Sequence, residues 1–216
     1  MRSFEKARHL LALILLMTLV GCGGTIPVIK GEGALESVSS IGAGFVAGSI
    51  GKVHAGEERS PFQSQYIWIQ SQESGEAFRI AFVQNDVWKT PVDFETETIQ
   101  GSVFWMPLPP GDYEIFRVNY EFTGGPVIQR FYNEEPFSIP FTISEGRTSY
   151  LGQFMGNVTW GRSLLGTKTA AGGYFELENM QERDFELLSA KYSDFNAESA
   201  DVALPIIPPE LEAFFR

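Results

Sequence analysis

The stretch from Leu108 to Phe122 commits this chain to a sheet. Leu108-Pro109-Pro110-Gly111-Asp112 is turn chemistry: two prolines withhold backbone donors from any ladder, and the glycine permits positive φ. Beyond the turn the residues alternate strictly. Glu114, Phe116, Val118, Tyr120 and Phe122 share one face, and Tyr113, Ile115, Arg117, Asn119 and Glu121 the other. A period of two predicts a half-buried strand with one wetter face, which needs partners on both sides to be stable.

Those partners are present along the chain. Tyr66-Ile67-Trp68-Ile69 and Phe78 to Val83 are β-branched and aromatic, with Gln72-Glu73-Ser74-Gly75 between them as a hairpin turn. Ile99 to Met106 leads into the Pro-Pro-Gly turn, and Thr123-Gly124-Gly125-Pro126 leads out to Val127 to Tyr132. Phe137 to Ile143 alternates again, with Pro140 marking an edge, and Ser144-Glu145-Gly146-Arg147 precedes a strand from Ser149 to Phe154. One helix is expected near the end, with Asn179 as N-cap, Glu182 completing a capping-box variant, and Met180, Phe185, Leu188 and Tyr192 on one face. Leu204-Pro205-Ile206-Ile207-Pro208-Pro209 fits neither helix nor central strand and reads as an extended strap. The expected fold class is all-β: an antiparallel β-sandwich of seven to nine strands with one C-terminal helix.

The other end of the chain carries an address. Arg2, Lys6, Arg8 and His9 precede an apolar run from Leu10 to Val20, too short to span a bilayer well and built like a secretory signal. It closes on Leu19-Val20-Gly21-Cys22, which resembles the lipobox of bacterial lipoproteins, and Cys22 is the only cysteine. The resemblance implies cleavage before Cys22, acylation of its sulfur, and three acyl chains on the mature residue, where two already give a stable anchor. Gly23 stands where an aspartate would resemble an inner-membrane retention signal, so the implied destination is the outer membrane, facing the periplasm or the cell surface. The expected organisation is a signal peptide over 1–21, a lipidated cysteine and flexible tether over 22–43, the sandwich with its helix over 44–195, and a Pro-rich tail over 196–216.

Composition then narrows the chemistry. Removing residues 1–21 takes away Arg2, Lys6, Arg8 and Glu5 and leaves 13 basic against 26 acidic side chains, a net charge of −13. Nucleic-acid binding rests on basic side chains that displace counterions, so no nucleic acid is expected. One histidine, His54, remains after the signal is lost, and the lone thiol is the acylated one. No zinc set, Cys nucleophile or G-x-S-x-G elbow can be assembled, so no metal, no cofactor and no catalytic residues are expected.

A second resemblance concerns the sandwich itself. Leu108-Pro109-Pro110-Gly111-Asp112-Tyr113-Glu114-Ile115 resembles the L-P-P-G-x-Y hairpin of transthyretin-like (prealbumin-like) modules, and Arg147-Thr148-Ser149-Tyr150-Leu151-Gly152 is similar to a strand of uncharacterised bacterial lipoproteins. Such modules share no catalytic residues, so the resemblance implies a fold and no site.

Several local patterns invite a function. Gly161-Arg162-Ser163-Leu164-Leu165-Gly166-Thr167-Lys168-Thr169 approaches a P-loop, but its lysine is one place late and Ala170-Ala171-Gly172-Gly173 starts no amphipathic helix; it reads as a flexible loop without nucleotide. Asp93, Glu95 and Glu97 would share one strand face and read as a solvated stripe, with bridging by a hard cation such as Ca²⁺ the alternative. His54 reads as a strand-end residue. Trp68 and Trp105 sit inside apolar strands and are expected in the core, whereas Trp88 and Trp160 lie beside turns and are the candidates for a binding surface. Asn157-Val158-Thr159 fits a glycosylation sequon by chance. The resulting expectation is a lipid-anchored, non-enzymatic module that binds or scaffolds an envelope protein or glycan. A carbohydrate- or peptidoglycan-binding module is the first alternative and a hydrolase working with acids alone the second.

Overall fold

The computed structural model describes residues 42–57, 59–87, 89–124 and 127–216. Cys22, Gly23 and Trp88 lie outside the described residues, as does the whole signal segment. The described residues form eleven strands and one α-helix: β1 (Gly44–Val53), β2 (Ser64–Ser71), β3 (Ala77–Val83), β4 (Phe94–Glu95), β5 (Ile99–Leu108), β6 (Gly111–Gly124), β7 (Val127–Tyr132), β8 (Ile139–Ile143), β9 (Thr148–Arg162), β10 (Lys168–Glu178), α1 (Gln181–Lys191) and β11 (Ala200–Val202). Without the two- and three-residue pieces β4 and β11, nine strands remain, within the expected range. No helix among the described residues is long and apolar enough to cross a membrane.

The strands make two sheets. Sheet A runs β10-β9-β1-β5-β4, with β11 beside the first part of β9. Sheet B runs β3-β2-β6-β7, with β8 beside the first part of β6. Pairing is mostly antiparallel, but β1 and β11 both run parallel to β9. Between the sheets lies the main core, with Val46, Ile50, Leu108, Phe154 and Phe175 from one side and Ile67, Ile69, Phe82, Val118 and Tyr120 from the other. Gln65, wholly buried, crosses this layer from β2 and donates to the Gly51 carbonyl at 2.8 Å. Pro140 sits on β8, which pairs only with β6, as an edge proline should.

The strict alternation of β6 is corrected by the structure. Tyr113 and Ile115 are buried, and so are Val118 and Tyr120, so the inward face changes parity between them. A register shift opposite Trp68 and Ile69 inserts one extra residue, Phe116. Asn133, 2% exposed, fills the gap on the other side of the strand: its Oδ1 accepts from Val118 N, and its Nδ2 donates to the carbonyls of Phe116 and Glu135. The bulge keeps aromatic and aliphatic side chains inward at both ends of a 14-residue strand.

A third layer covers the outer face of sheet A. Leu188 is buried there with Ala47, Val103, Tyr150 and Phe195, and Phe185 and Tyr192 pack beside it. The expected helix face is therefore present, but it also carries the wholly buried Asp184. Asp184 Oδ2 accepts from Ser49 Oγ and Tyr150 Oη, each at 2.7 Å, and Oδ1 accepts from Arg183. Burial, with the neighbouring carboxylate, pushes the Tyr150 hydroxyl far above its ordinary range. The cap differs from expectation. Met180 occupies the N-cap with no side-chain bond, and Asn179 Oδ1 accepts from Gln181 N at 3.1 Å.

The tail is a strap. Its last residues lie along β10: Phe175 N donates to Phe214 O, Arg216 N to Phe175 O, and Leu177 N to Arg216 O. Leu211 and Phe215 enter the main core.

Candidate functional site

The two sheets leave two open sides, and the one between the edges of β7 and β10 holds the candidate site. β10 is paired by the tail along Phe175 to Leu177, but its earlier part, Ala171-Gly172-Gly173, is not. There a cavity of about 460 Å³ opens between Phe131 and Tyr132 of β7, Phe214 of the tail, Thr159 of β9, and the Ala171-Gly172-Gly173 backbone. Its size lies in the range of small-molecule pockets.

The sequence builds this space in two ways. A register shift between Ala170 and Gly172 bends the edge of β10. Gly173 then lets the inner layer come close: a Cβ on it would lie 2.8 Å from Phe62 and 2.9 Å from Tyr120, so only glycine fits under those rings. Gly172 has open space where its Cβ would be. Tyr120 lines the cavity, is 1% exposed, and packs between the tilted rings of Phe62 and Phe175 at ring distances of 5.1 and 5.0 Å. Its hydroxyl has no hydrogen-bond partner among the described residues. Burial raises its pKa well above the ordinary tyrosine value, with Tyr174 adding to the effect. A buried hydroxyl that gains no bond is costly, and such groups gather where a ligand or water completes them. Charge sits at the mouth: Arg130 Nε lies 2.9 Å from Glu121 Oε1, and Glu134 is exposed.

The other open side is different in kind. Between β3 and β5 a cavity of about 340 Å³ is lined by Ile80, Ala81, Pro91, Phe104, Met106 and Tyr192, among others. Here side chains plug the strand edges. Asp93 Oδ2 accepts from Val103 N at 2.9 Å and from Ser102 Oγ, and Lys191 Nζ donates to the same carboxylate and to Val103 O. Thr90 does the same for Val83, accepting its N–H at Oγ1 and donating to its carbonyl. A third space of about 590 Å³ lies by Phe45 and Trp105, whose rings stack at 4.3 Å, while Trp105 Nε1 donates to Thr148 Oγ1. Its walls are satisfied.

Several expected positions move. Trp160 is not beside a turn. It lies within β9, packs partly buried against the main core, and has the Lys168 ammonium 4.3 Å from its ring centroid. Part of its ring is therefore already covered within the fold. Trp68 is on the outer face of sheet B, not in the main core, and groups with Tyr66 and Arg79. Trp105 packs under α1. Of the stripe Asp93-Glu95-Glu97, Glu95 and Glu97 are exposed as expected, whereas Asp93 is engaged with Lys191, and no group of metal-binding side chains occurs among the described residues. His54 comes directly after β1, and its Nε2 lies 3.0 Å from Thr96 O and 3.7 Å from Glu95. The near P-loop is the turn of the β9–β10 hairpin, and it leads into a strand rather than a helix. The three cavities are each lined by at most one carboxylate, Glu134 in one and Asp194 in another.

Sequence reasoning missed the cleft because its floor, Ala170 to Gly173, reads as a loop. The signal that could have found it is the pair Gly172-Gly173 opposite an aromatic β7, since glycine inside a strand marks a close approach.

No family model matches this chain, and no curated protein matches it. Among solved structures, a leucine-rich repeat protein from Bacteroides thetaiotaomicron VPI-5482 aligns at 11% identity with a TM-score of 0.30, covering 53% of this chain. The chain spans 14% of that structure's length, and a likeness so slight carries no argument about fold or function.

Proposed function

We propose that this protein is a cell-envelope lipoprotein, held by acylated Cys22, whose sandwich binds another envelope component without catalysing a reaction on it. The observation that carries the binding reading is the β7–β10 cleft, where a pocket of about 460 Å³ has aromatic walls and a glycine floor, with the Tyr120 hydroxyl buried beside it. The anchor reading rests on Leu19-Val20-Gly21-Cys22 behind the apolar run. A transthyretin-like identity for the sandwich rests on the hairpin residues 108–115 alone.

The two parts are tested separately. Growth with a labelled fatty acid should label the wild-type chain and not Cys22→Ser, and wild type should fractionate with membranes. An unlabelled wild type refutes the anchor. A photocrosslinking residue at Tyr132, 55% exposed at the mouth, should capture a defined envelope component in cells, and Gly172→Trp should abolish capture because its side chain grows into open space. Capture unchanged in Gly172→Trp removes the cleft.

A second reading is recognition of a glycan. Aromatic rings beside hydroxyl and charged groups suit a pyranose, which stacks one face and hydrogen-bonds its rim. The residues that would carry it are Phe131, Tyr132 and Phe214. A peptidoglycan pull-down lost on Tyr132→Ala with Phe214→Ala favours this reading over a protein partner.

A further inference from the structure

The β9–β10 hairpin ends in an arrangement that the cleft does not use. Ser163 O accepts from Gly166 N at 2.8 Å, Ser163 N donates to Thr167 O at 2.9 Å, and Gly166 has φ of +79°. This is a tight turn closed by a left-handed glycine, with Leu164 and Leu165 at its two corner positions. Corner positions point outward and ordinarily hold polar residues. Here Leu164 is 107% and Leu165 93% exposed, so both side chains touch nothing in the fold. The turn is tied down rather than frayed, because Arg162 Nη1 also donates to Gly166 O and Thr167 N to Ser163 Oγ.

Charge singles out the same place. In a chain with 27 acidic residues, none lies between Glu145 and Glu176. The hairpin tip carries Arg162 and Lys168 on its two strands, directly below the leucines, with Lys168 braced over Trp160. A convex apolar point with a cationic collar has no groove to receive a peptide. It fits a surface that is anionic outside and apolar beneath.

We propose that Leu164 and Leu165 insert into the headgroup–acyl boundary of an anionic lipid bilayer, with Arg162 and Lys168 pairing with lipid phosphates. The hairpin is a lipid contact separate from Cys22 and does not depend on acylation. β1 runs parallel to β9, so Gly42 and the hairpin tip sit at opposite ends of the body, roughly 45 Å apart along β9.

The test uses the full chain with Cys22→Ala, so that a single introduced cysteine can carry an environment-sensitive fluorophore. One version places it at Leu165→Cys, with Leu164 left in place. The other places it at Ser74→Cys, in the turn at the far end. The probe is vesicles of one part phosphatidylglycerol to three parts phosphatidylcholine. The tip label should brighten and shift to the blue, and the Ser74 label should not. Arg162→Glu with Lys168→Glu should weaken the vesicle affinity read at the tip by at least about fivefold per cation removed. Leu164→Ser in the labelled chain should weaken it by about tenfold with no change in thermal midpoint, since that side chain packs on nothing. No shift at the tip, an equal shift at Ser74, or a shift that requires added envelope protein rather than lipid overturns the proposal.

Discussion

The two open sides of the sandwich solve the same problem differently. Each is a gap along the open edges of two sheets, where backbone groups face outward. At β3 and β5 the gap is plugged by polar side chains. Asp93 and Lys191 occupy Val103, and Thr90 occupies Val83. At β7 and β10 the gap is lined instead, by Phe131, Tyr132 and Phe214, with one hydroxyl left unpaired. A plugged edge refuses an added strand, and a lined one is where the proposed function puts a ligand. The sandwich thus has a guarded side and a receptive side.

The sharpest way to break that contrast is to remove the strap that bounds the receptive side. Phe215 is wholly buried and packs on Phe175 and Phe137. Phe215→Ala should cost about 3–5 kcal/mol in urea unfolding and loosen Phe214 beside the cleft. A loss under about 1 kcal/mol would mean that the tail is an ornament and the cleft has no lower wall.

The guarded side has its own test. Asp93→Ala strands the Val103 N–H and the Lys191 ammonium together, and should cost about 2–3 kcal/mol. A double-mutant cycle with Lys191→Met should show coupling, because both act through one carboxylate. Additive losses would separate the helix end from the strand edge and undo the idea of a plug.

How much of this contrast the sequence discloses depends on distance along the chain. The hairpin turns, the strands from β2 to β9 and the apolar face of α1 are local patterns, and periodicity reveals them. The bulge at Phe116 is not local. It is fixed by Asn133 and by the pairing with β2, so strict alternation assigned the wrong parity to half of β6. β10 hid for a related reason: Gly172 and Gly173 weaken its strand signal, and only Tyr120 and Phe62 across the core explain them. Asp93 looked like one of three solvated acids until α1 folded back and brought Lys191 to it across almost a hundred residues of sequence. Trp160 misled because its neighbour Gly161 suggests a turn, which the strand passes straight through.

β6 carries an internal control on the receptive side, in two tyrosines that both face the core. Tyr113 Oη donates to Pro109 O at 2.8 Å, inside the Pro-Pro-Gly turn. Burial, with Glu76 nearby, pushes its pKa up to about 12. Tyr113→Phe should cost about 1 kcal/mol at neutral pH. The raised value fixes the sign of the pH dependence. The folded form holds its proton more tightly than the unfolded chain, so the contribution is complete below about pH 10, and rising pH removes it between 10 and 12. Unfolding midpoints of wild type and Tyr113→Phe should therefore converge across that window, and parallel curves would show that the hydroxyl titrates as in water.

Tyr120 should behave in the opposite way, with the smallest effect of all. Its hydroxyl is buried without a partner, so Tyr120→Phe removes a polar group that gains nothing in the unliganded fold. The expected change in stability is about zero, or a gain of up to about 1 kcal/mol, since a satisfied hydroxyl is worth that much and an unsatisfied one costs as much again. Capture through the cleft should nevertheless weaken, because the group that a ligand completes is gone. If Tyr120→Phe instead destabilises the free protein as much as Tyr113→Phe does, the hydroxyl already has a partner within the fold. The receptive side would then hold no hydroxyl for a ligand to complete.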